Sequence, residues 1–218
     1  MQDSVQRANG NGVDLIYVHD PMCSWCWAFR PQMDKLLQSL PDNIRTVRLL
    51  GGLAPDSDEP MPETMRRHLQ EVWRTIARTV PATRFNFDFW QDCVPRRSTY
   101  PACRAVIAAR NQGTEWDEKM TRAIQQAYYL EARNPSEEQT LIEIAKTIGL
   151  DDSHFSRDLG SKQTQDTLLD EIALSRNLGI SGFPSLMLKR EDQMNRIPVD
   201  YTNYLSALEA VKSTLSVH

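Results

Sequence analysis

Two cysteines near the beginning of the chain have the spacing of a reversible dithiol. Cys23 and Cys26 enclose Ser24 and Trp25, and they lie between an apolar run that predicts a buried β-strand and a segment with helical periodicity. Cys23 therefore falls at or near the first helical position, where free backbone N–H groups and the helix dipole favour a thiolate over a thiol. Cys26 lies one turn further along the same face and can close a disulfide with it. The pattern predicts a nucleophilic thiol and a resolving thiol.

A structural zinc site is the alternative interpretation of this pair. Zinc requires two further ligands, and the remaining candidates are scattered along the chain. They are Cys93, Cys103, His19, His68, His154 and His218. A C-x-x-C pair between a predicted strand and a predicted helix favours redox chemistry, so we expect no metal and no bound cofactor. For Cys93 and Cys103 a second disulfide and two inert buried thiols both stay open, and we favour the inert thiols.

The composition is that of an ordinary globular protein. The chain has 218 residues, of which 40% are hydrophobic, and a formal net charge of −4. Since there is no excess of basic residues and no run of eighteen apolar residues, we expect neither nucleic acid nor a membrane as a partner. Residues 1–11 are polar and lack the apolar core of a secretory signal, which predicts a cytoplasmic location.

A second feature lies far from the cysteines, in Gly182-Phe183-Pro184-Ser185, just before an apolar run that predicts a strand. This arrangement resembles the thioredoxin superfamily, in which a proline that opens a late strand has a cis peptide bond and packs beside the C-x-x-C pair. The resemblance implies that Phe183 and Pro184 lie next to Cys23. An ordinary trans proline at the start of a strand fits the local sequence equally well.

The order of elements extends the resemblance to nearly the whole chain. We predict a strand, a helix, a strand at 44–50, a nearly all-helical block from 62 to 158, a helix at 162–178, strands at 186–189 and 194–199, and a last helix. This order resembles the DsbA-like thiol-disulfide oxidoreductases, in particular their FrnE-type branch. It implies an α/β, thioredoxin-like fold: a domain of residues 12–58 and 160–218 carries a large all-helical insertion of residues 60–158.

Three stretches carry this resemblance: Asp20-Pro21 before Cys23-Ser24-Trp25-Cys26-Trp27, Tyr100-Pro101-Ala102-Cys103-Arg104-Ala105, and the Phe183-Pro184 segment. It implies a protein disulfide reductase or isomerase in which Cys23 attacks and Cys26 resolves the mixed disulfide. The implied partners are protein or peptide thiols and disulfides, with glutathione as a further candidate; the oligomeric state stays open. Ser24 can donate a hydrogen bond to a thiolate, and Trp25 adds an apolar lid. The residues between Cys23 and Cys26 include no histidine, unlike those of a C-P-H-C sequence. We therefore expect the Cys23–Cys26 disulfide to be less oxidising than a C-P-H-C disulfide.

Two positions depart from the superfamily's pattern. Six residues before the first cysteine, where a buried acid is common, this chain has Tyr17. Asp20 could substitute for that acid electrostatically, although we favour a turn or cap residue. His19 could shuttle protons, but we favour a plain polar residue at the end of a strand.

An apolar rim around the sulfurs is also expected, formed by Met22, Trp25, Trp27 and Phe183. Such a rim would accept unfolded or peptide-like segments, whose backbone could pair with residue 183.

A glutathione-dependent isomerase or transferase is the alternative function. The kappa-class enzymes and the hydroxychromene-carboxylate isomerases resemble this fold closely. They typically hold the glutathione thiol with a lone serine or cysteine, so the intact pair of Cys23 and Cys26 favours the oxidoreductase.

Overall fold

A four-stranded mixed sheet forms the centre of the fold. The structure is a computed structural model that describes residues 12–216, so the expectations for residues 1–11 and the candidate ligand His218 lie outside it. The strands are β1 (Val13–His19), β2 (Ile44–Leu50), β3 (Ser185–Arg190) and β4 (Gln193–Ile197), in the spatial order β2-β1-β3-β4. Strand β1 runs parallel to β2 and antiparallel to β3, which is antiparallel to β4.

Helices cover this sheet and fill the long connection between β2 and β3. In the described part of the chain they are α1 (Ser24–Ser39), α2 (Glu63–Thr79), α3 (Phe89–Asp92), α4 (Tyr100–Arg110), α5 (Trp116–Leu130), α6 (Glu138–Ile148), α7 (Asp152–Leu159), α8 (Lys162–Asn177) and α9 (Leu205–Ser216). The predicted α/β, thioredoxin-like fold with its large helical insertion is confirmed. Within residues 12–216, none of the helices combines the length and the apolar character that crossing a bilayer requires.

Strand β1, one of the two inner strands, leads directly into the segment that carries the cysteines. All seven of its residues are buried, as expected for a strand that is covered on both faces. One face packs with α1 and α9, and the other packs with residues around Ile180. The chain leaves β1 at His19 and enters α1 at Ser24, so Cys23 lies at the junction of strand and helix. Pairing of β1 with β3 sets Val18 opposite Ser185, which brings the preceding Phe183-Pro184 segment to the same edge.

The helical segment, residues 60–158, has a hydrophobic core of its own. This core extends to residues that surround Cys23 and Cys26. Trp73, Phe89 and Tyr129 are among its largest buried side chains, and Met22 and Trp27 belong to the same cluster. Helix α8 contributes to this cluster as well as to the one beside β1. The division into residues 12–58 with 160–218 and residues 60–158 stays a prediction.

Candidate active site

Cys23 occupies the N-cap position of α1, immediately before the first helical residue. Its backbone is extended (φ −79°, ψ 117°), and the helix begins at the next residue. The Cys23 N–H donates to the carbonyl of Asp20 at 3.0 Å, while its carbonyl accepts from the N–H of Trp27 at 3.0 Å. The Cys23 residue therefore lies at the positive end of the helix dipole, beside the free N–H groups of the first turn.

The cis-proline segment contacts this sulfur directly. The peptide bond between Phe183 and Pro184 is cis. Its carbonyl oxygen, that of Phe183, accepts a hydrogen bond from Cys23 Sγ at 3.5 Å. The structure thus brings together the cysteine pair and the distant Phe183-Pro184 segment. Cys23 is only 6% exposed, so the free thiol is largely covered.

Cys26 lies behind Cys23 and has no exposed surface. Burial raises the pKa of the Cys26 thiol well above its usual value of 9.0, and the hydrogen bond and negative charge of the Cys23 sulfur raise it further. Cys26 therefore stays protonated while both cysteines are reduced. The nucleophilic Cys23 thus lies at the end of the helix, and the protonated resolving Cys26 is buried next to it.

Gly51 makes room for Phe183, a role that the sequence did not reveal. A Cβ atom on Gly51 would lie 2.1 Å from both Cε1 and Cζ of the Phe183 ring. The Gly51 N–H donates to the carbonyl of His19 at 2.8 Å, which fixes the turn after β2. A glycine pair directly after a predicted strand was the available signal.

Asp20 is a buried residue that connects the cysteine loop, residues 20–24, to the helical segment. It is fully buried, and its Oδ1 accepts from the N–H of Met22 at 2.8 Å. Its Oδ2 accepts from the N–H of Leu53 at 2.7 Å and from the hydroxyl of Thr99 at 2.6 Å. Burial raises the pKa of Asp20, although these hydrogen bonds oppose the shift. The favoured interpretation, a turn or cap residue, describes only the bond to Met22.

Cys103 and Cys93 are free thiols outside the redox pair. Cys103 is fully buried and donates to Asp20 Oδ2 at 3.5 Å; burial and the charge of Asp20 raise its pKa well above 9.0. Cys93 is partly buried and donates to the carbonyl of Ala132 at 3.1 Å. Within residues 12–216 no group of three or more histidine, cysteine or acidic side chains is placed to hold a metal ion.

His19 and Tyr17 form a buried stack beneath the pair. Their ring centroids are 4.8 Å apart, with an angle of 9° between the planes. His19 has no exposed surface, and neither ring nitrogen has a hydrogen-bond partner. Burial, followed by the charge of Arg48, lowers the pKa of His19 well below 6.5, so the imidazole is neutral. His19 is the last residue of β1, as expected, but it is buried and has no hydrogen-bond partner, and its neutral, weakly basic ring is a poor proton shuttle.

Tyr17 occupies the position of the missing acid without replacing its charge. Burial and the neighbouring Cys26 sulfur raise the pKa of Tyr17 well above 10.0. The side chain therefore stays a neutral phenol and cannot accept the proton of Cys26 as a carboxylate would.

The two residues between the cysteines are both engaged by other elements. The Ser24 hydroxyl accepts a hydrogen bond from Trp73 Nε1 at 3.0 Å, and Trp73 itself lies buried in α2. The ring of Trp25 packs against Tyr201 at a centroid distance of 4.8 Å. The positions of Ser24 and Trp25 therefore depend on their packing against other parts of the fold.

Trp27 does not belong to the apolar rim, which corrects the sequence-based expectation. It is 7% exposed, stacks on Tyr129 at 5.5 Å and donates from Nε1 to the carbonyl of Arg84 at 3.0 Å. The helical segment closes over this face of α1, so the indole is part of its core. The hydroxyl of the same Tyr129 donates to the carbonyl of Met22 at 2.7 Å.

A cavity of about 210 Å³ opens beside Cys23. Met22, Trp25 and Phe183 line one side of it, as three of the four expected rim residues. The opposite side comes from the helical segment and the loop before it, which the sequence did not indicate: Leu53, Met61, Leu69, Val72, Arg96, Arg97, Ser98, Thr99 and Tyr128. A larger cavity of about 630 Å³ lies between the helical segment, residues 56–58 and the start of α8, but no cysteine lines it.

A family model and several curated proteins are similar in sequence to this chain. The family model described as thioredoxin matches residues 16–206. Among curated proteins, the ClpXP adapter protein SpxH of Bacillus subtilis (strain 168) is 29% identical over 188 residues, which are 84% of this chain and 61% of the relative. The chain thus spans about three fifths of that relative's length.

Solved structures show the same fold over nearly the whole chain. A candidate protein disulfide isomerase from Nitrosomonas europaea has a TM-score of 0.83 and 25% identity, over 95% of this chain and 99% of that chain. The cytosolic disulfide reductase DsbM from Pseudomonas aeruginosa has a TM-score of 0.75 and 22% identity, over 93% and 100%. The structure of DsbM with GSH has a TM-score of 0.71 and 23% identity, over 93% and 96%.

Proposed function

This chain belongs to the thioredoxin family, and on that premise we propose that it is a DsbA-like thiol-disulfide oxidoreductase acting through Cys23 and Cys26. One observation carries the proposal: Cys23 caps α1 against the carbonyl of the cis Phe183-Pro184 peptide, with the buried Cys26 thiol one turn behind it. The presence of both cysteines favours this activity over the glutathione-dependent isomerase.

The reaction consists of two exchanges. The Cys23 thiolate attacks one sulfur of a substrate disulfide, forming a mixed disulfide and releasing the other sulfur as a thiolate that takes a proton from solvent. Cys26 then loses its proton and attacks the Cys23 sulfur, which releases the second substrate thiol and leaves a Cys23–Cys26 disulfide. Two electrons pass from the protein to the substrate, and the reverse sequence oxidises a dithiol.

The order of these exchanges follows from the surroundings of Cys26. While the pair is reduced, the Cys23 sulfur contributes to the raised pKa of Cys26 through its hydrogen bond and charge. Once Cys23 is in a mixed disulfide, that negative charge is gone and the pKa of Cys26 falls. The resolving thiol therefore becomes available when it is needed.

Phe183, Pro184, Ser24, Trp25 and Asp20 support this chemistry in the proposal. The Phe183 carbonyl accepts from Cys23 in the free protein, and in the proposal it would accept a backbone N–H of an extended substrate. Trp25 and Phe183 supply apolar walls, while Ser24 and Asp20 hold the cysteine loop to the helical segment.

We assign the two predicted domains different tasks. Residues 12–58 and 160–218 would carry the thiols and the cis proline, and residues 60–158 would close the cavity from the opposite side. The lining of that cavity supports this division, since Met61, Leu69 and Tyr128 face the cysteine loop across it. A cytoplasmic location is part of the proposal.

Insulin reduction with dithiothreitol as electron donor tests the activity. The expected results are loss of turnover in Cys23→Ser and accumulation of a mixed disulfide in Cys26→Ser. Cys93→Ser is the matched control, because that thiol lies outside the cavity and should leave turnover unchanged. Full turnover by Cys23→Ser would refute the assignment. The reduction potential of the pair against glutathione then gives the direction of net flux, since about 30 mV corresponds to ~1.4 kcal/mol.

An adapter role is the second candidate function. It is favoured by the similarity of this chain to curated relatives that are ClpXP adapter proteins. Co-purification of ClpXP with the tagged protein would support it. The Cys23→Ser variant separates the two functions, because an adapter that needs no redox chemistry would keep its binding while disulfide reduction is lost.

A further inference from the structure

Arg97 lies in the wall of the cavity beside Cys23 without a partner for its charge. The side chain is half-buried, in the loop between α3 and α4. Among residues 12–216 its guanidinium has no ion pair and no hydrogen bond. The neighbouring Arg96 is different, since it pairs with Glu137 at 3.0 Å and with Asp58 at 3.5 Å. A half-buried arginine that the protein leaves unpaired is available for a ligand.

The rest of the cavity does not neutralise this charge. No acidic side chain lines it in the part of the chain that the structure describes. Asp20 lies behind Thr99, and its carboxylate is already bonded by Thr99 and by the N–H groups of Leu53 and Met22. The cavity therefore combines apolar walls and a reactive thiol with an uncompensated positive charge, which favours an anionic occupant.

The size of the cavity limits what can enter. Its volume of about 210 Å³ lies below the roughly 300 to 1,000 Å³ of sites for drug-sized ligands. It is bounded by the cysteine loop with Phe183 on one side and by α2 on the other. Such a space fits a short group attached to the reacting sulfur better than a folded loop.

We propose that Arg97 is a specificity-determining residue that binds the carboxylate of a small disulfide while one sulfur of that disulfide reacts with Cys23. The inference rests on the proposed oxidoreductase function and names its preferred substrate class, the carboxylated low-molecular-weight disulfides. A planar guanidinium suits a carboxylate because it can donate two parallel hydrogen bonds. The exchange is the one described above: the Cys23 sulfur bonds to the substrate, one carboxylated thiolate leaves, and Cys26 releases the second.

Three small disulfides that differ in charge provide the test: dithiodiglycolate is anionic, bis(hydroxyethyl) disulfide is neutral and cystamine is cationic. The reduced protein is mixed with each in excess, and samples are quenched, alkylated and analysed by mass spectrometry for loss of the free Cys23 thiol. Rates are compared between variants for one disulfide at a time, because leaving-group pKa values differ between disulfides. No added reductant is needed in this single turnover.

Arg97→Gln should slow the reaction with dithiodiglycolate about tenfold, which corresponds to ~1.4 kcal/mol. The same variant should leave the neutral disulfide unchanged and accelerate cystamine. Arg97→Lys, which keeps the charge, should recover part of the loss. Arg157→Gln is the matched control, since it removes an equal charge from an exposed position on α7 and should change nothing.

The outcomes distinguish this inference from the function on which it rests. If the wild-type protein reacts with none of the disulfides, the oxidoreductase proposal fails. If all three react and Arg97→Gln changes every rate equally, or none, the inference about Arg97 is wrong while the function stands. An effect of Arg97→Gln on insulin but not on dithiodiglycolate would also overturn it, because the carboxylate would then come from a protein side chain.

Discussion

Substitution of Gly51 by alanine should push the Phe183 ring out of its place beside the redox pair. The new Cβ would lie 2.1 Å from Cε1 and Cζ of Phe183, whereas ordinary contact begins at 3.4 Å. The ring must therefore retreat by about 1.3 Å, the difference between 3.4 Å and 2.1 Å, to reach ordinary contact. Since Phe183 also lines the cavity, the displaced ring would narrow the space beside Cys23 and disturb the contact from Cys23 Sγ to the Phe183 carbonyl.

The magnitude follows from the cost of overpacking, which is about 1 to 3 kcal/mol. With a urea m-value of about 2 kcal/mol/M, a loss of about 2 kcal/mol lowers the unfolding midpoint by about 1 M. Disulfide exchange should slow as well, beyond what the loss of stability explains, because the protein stays folded in the assay. Urea unfolding and insulin reduction measure the two effects.

Gly182→Ala is the matched control for this experiment. Gly182 lies in the same loop as Phe183, and a Cβ there would meet nothing within 4 Å. Its substitution should leave both the midpoint and the rate of exchange near the wild-type values. Equal results for Gly51→Ala and Gly182→Ala would refute the reasoning, because the close approach of Gly51 and Phe183 would then carry no energetic cost.

Three further predictions concern the buried groups around the pair. Asp20→Asn should lower the free energy of unfolding by about 2 kcal/mol in urea titrations, because an amide can replace only one of the two accepting oxygens; exposed Asp42→Asn should have no such effect. Because the pKa of Cys26 is raised well above 9.0, iodoacetamide near neutral pH should label it more slowly than a small free thiol, and an equal rate by mass spectrometry would contradict its buried state. His19 has a lowered pKa when folded, so the unfolded chain takes up the proton first and stability falls as the pH drops below about 6.5. His19→Phe should reduce that fall between about pH 6.5 and pH 5, and an unchanged pH dependence would exclude His19 as its source.

Local patterns allowed much of the fold to be predicted. The strand predicted at 44–50 has those bounds in the structure, and the helix predicted at 162–178 runs from Lys162 to Asn177. Such segments are readable because hydrophobic periodicity and the stop at Gly179 involve neighbours in sequence. The position of Cys23 at the start of α1 follows from the same kind of signal.

The parts of the site that could not be predicted depend on contacts between distant segments. Trp27 was expected in the rim because it is a large apolar side chain next to Cys26. Only the packing of the helical segment against α1 buries it against Tyr129. His19 is a polar residue at the end of a strand, and its complete burial cannot be inferred from neighbouring residues in the sequence. The role of Gly51 likewise depends on its close approach to Phe183, and that of Arg97 on the cavity, and no local pattern indicates either contact.

The cysteine loop is held by the helical segment at three neighbouring points. The Asp20 carboxylate accepts from Thr99, the Met22 carbonyl accepts from Tyr129, and the Ser24 hydroxyl accepts from the indole of Trp73.

Each of these bonds reaches a residue within three positions of Cys23, and each donor is a buried side chain. A change in the packing of the helical core therefore moves the backbone that orients the Cys23 sulfur, since buried hydrogen bonds are costly to leave unmade. It follows that substitutions in the helical segment can tune the reactivity of the pair while the C-x-x-C sequence stays the same.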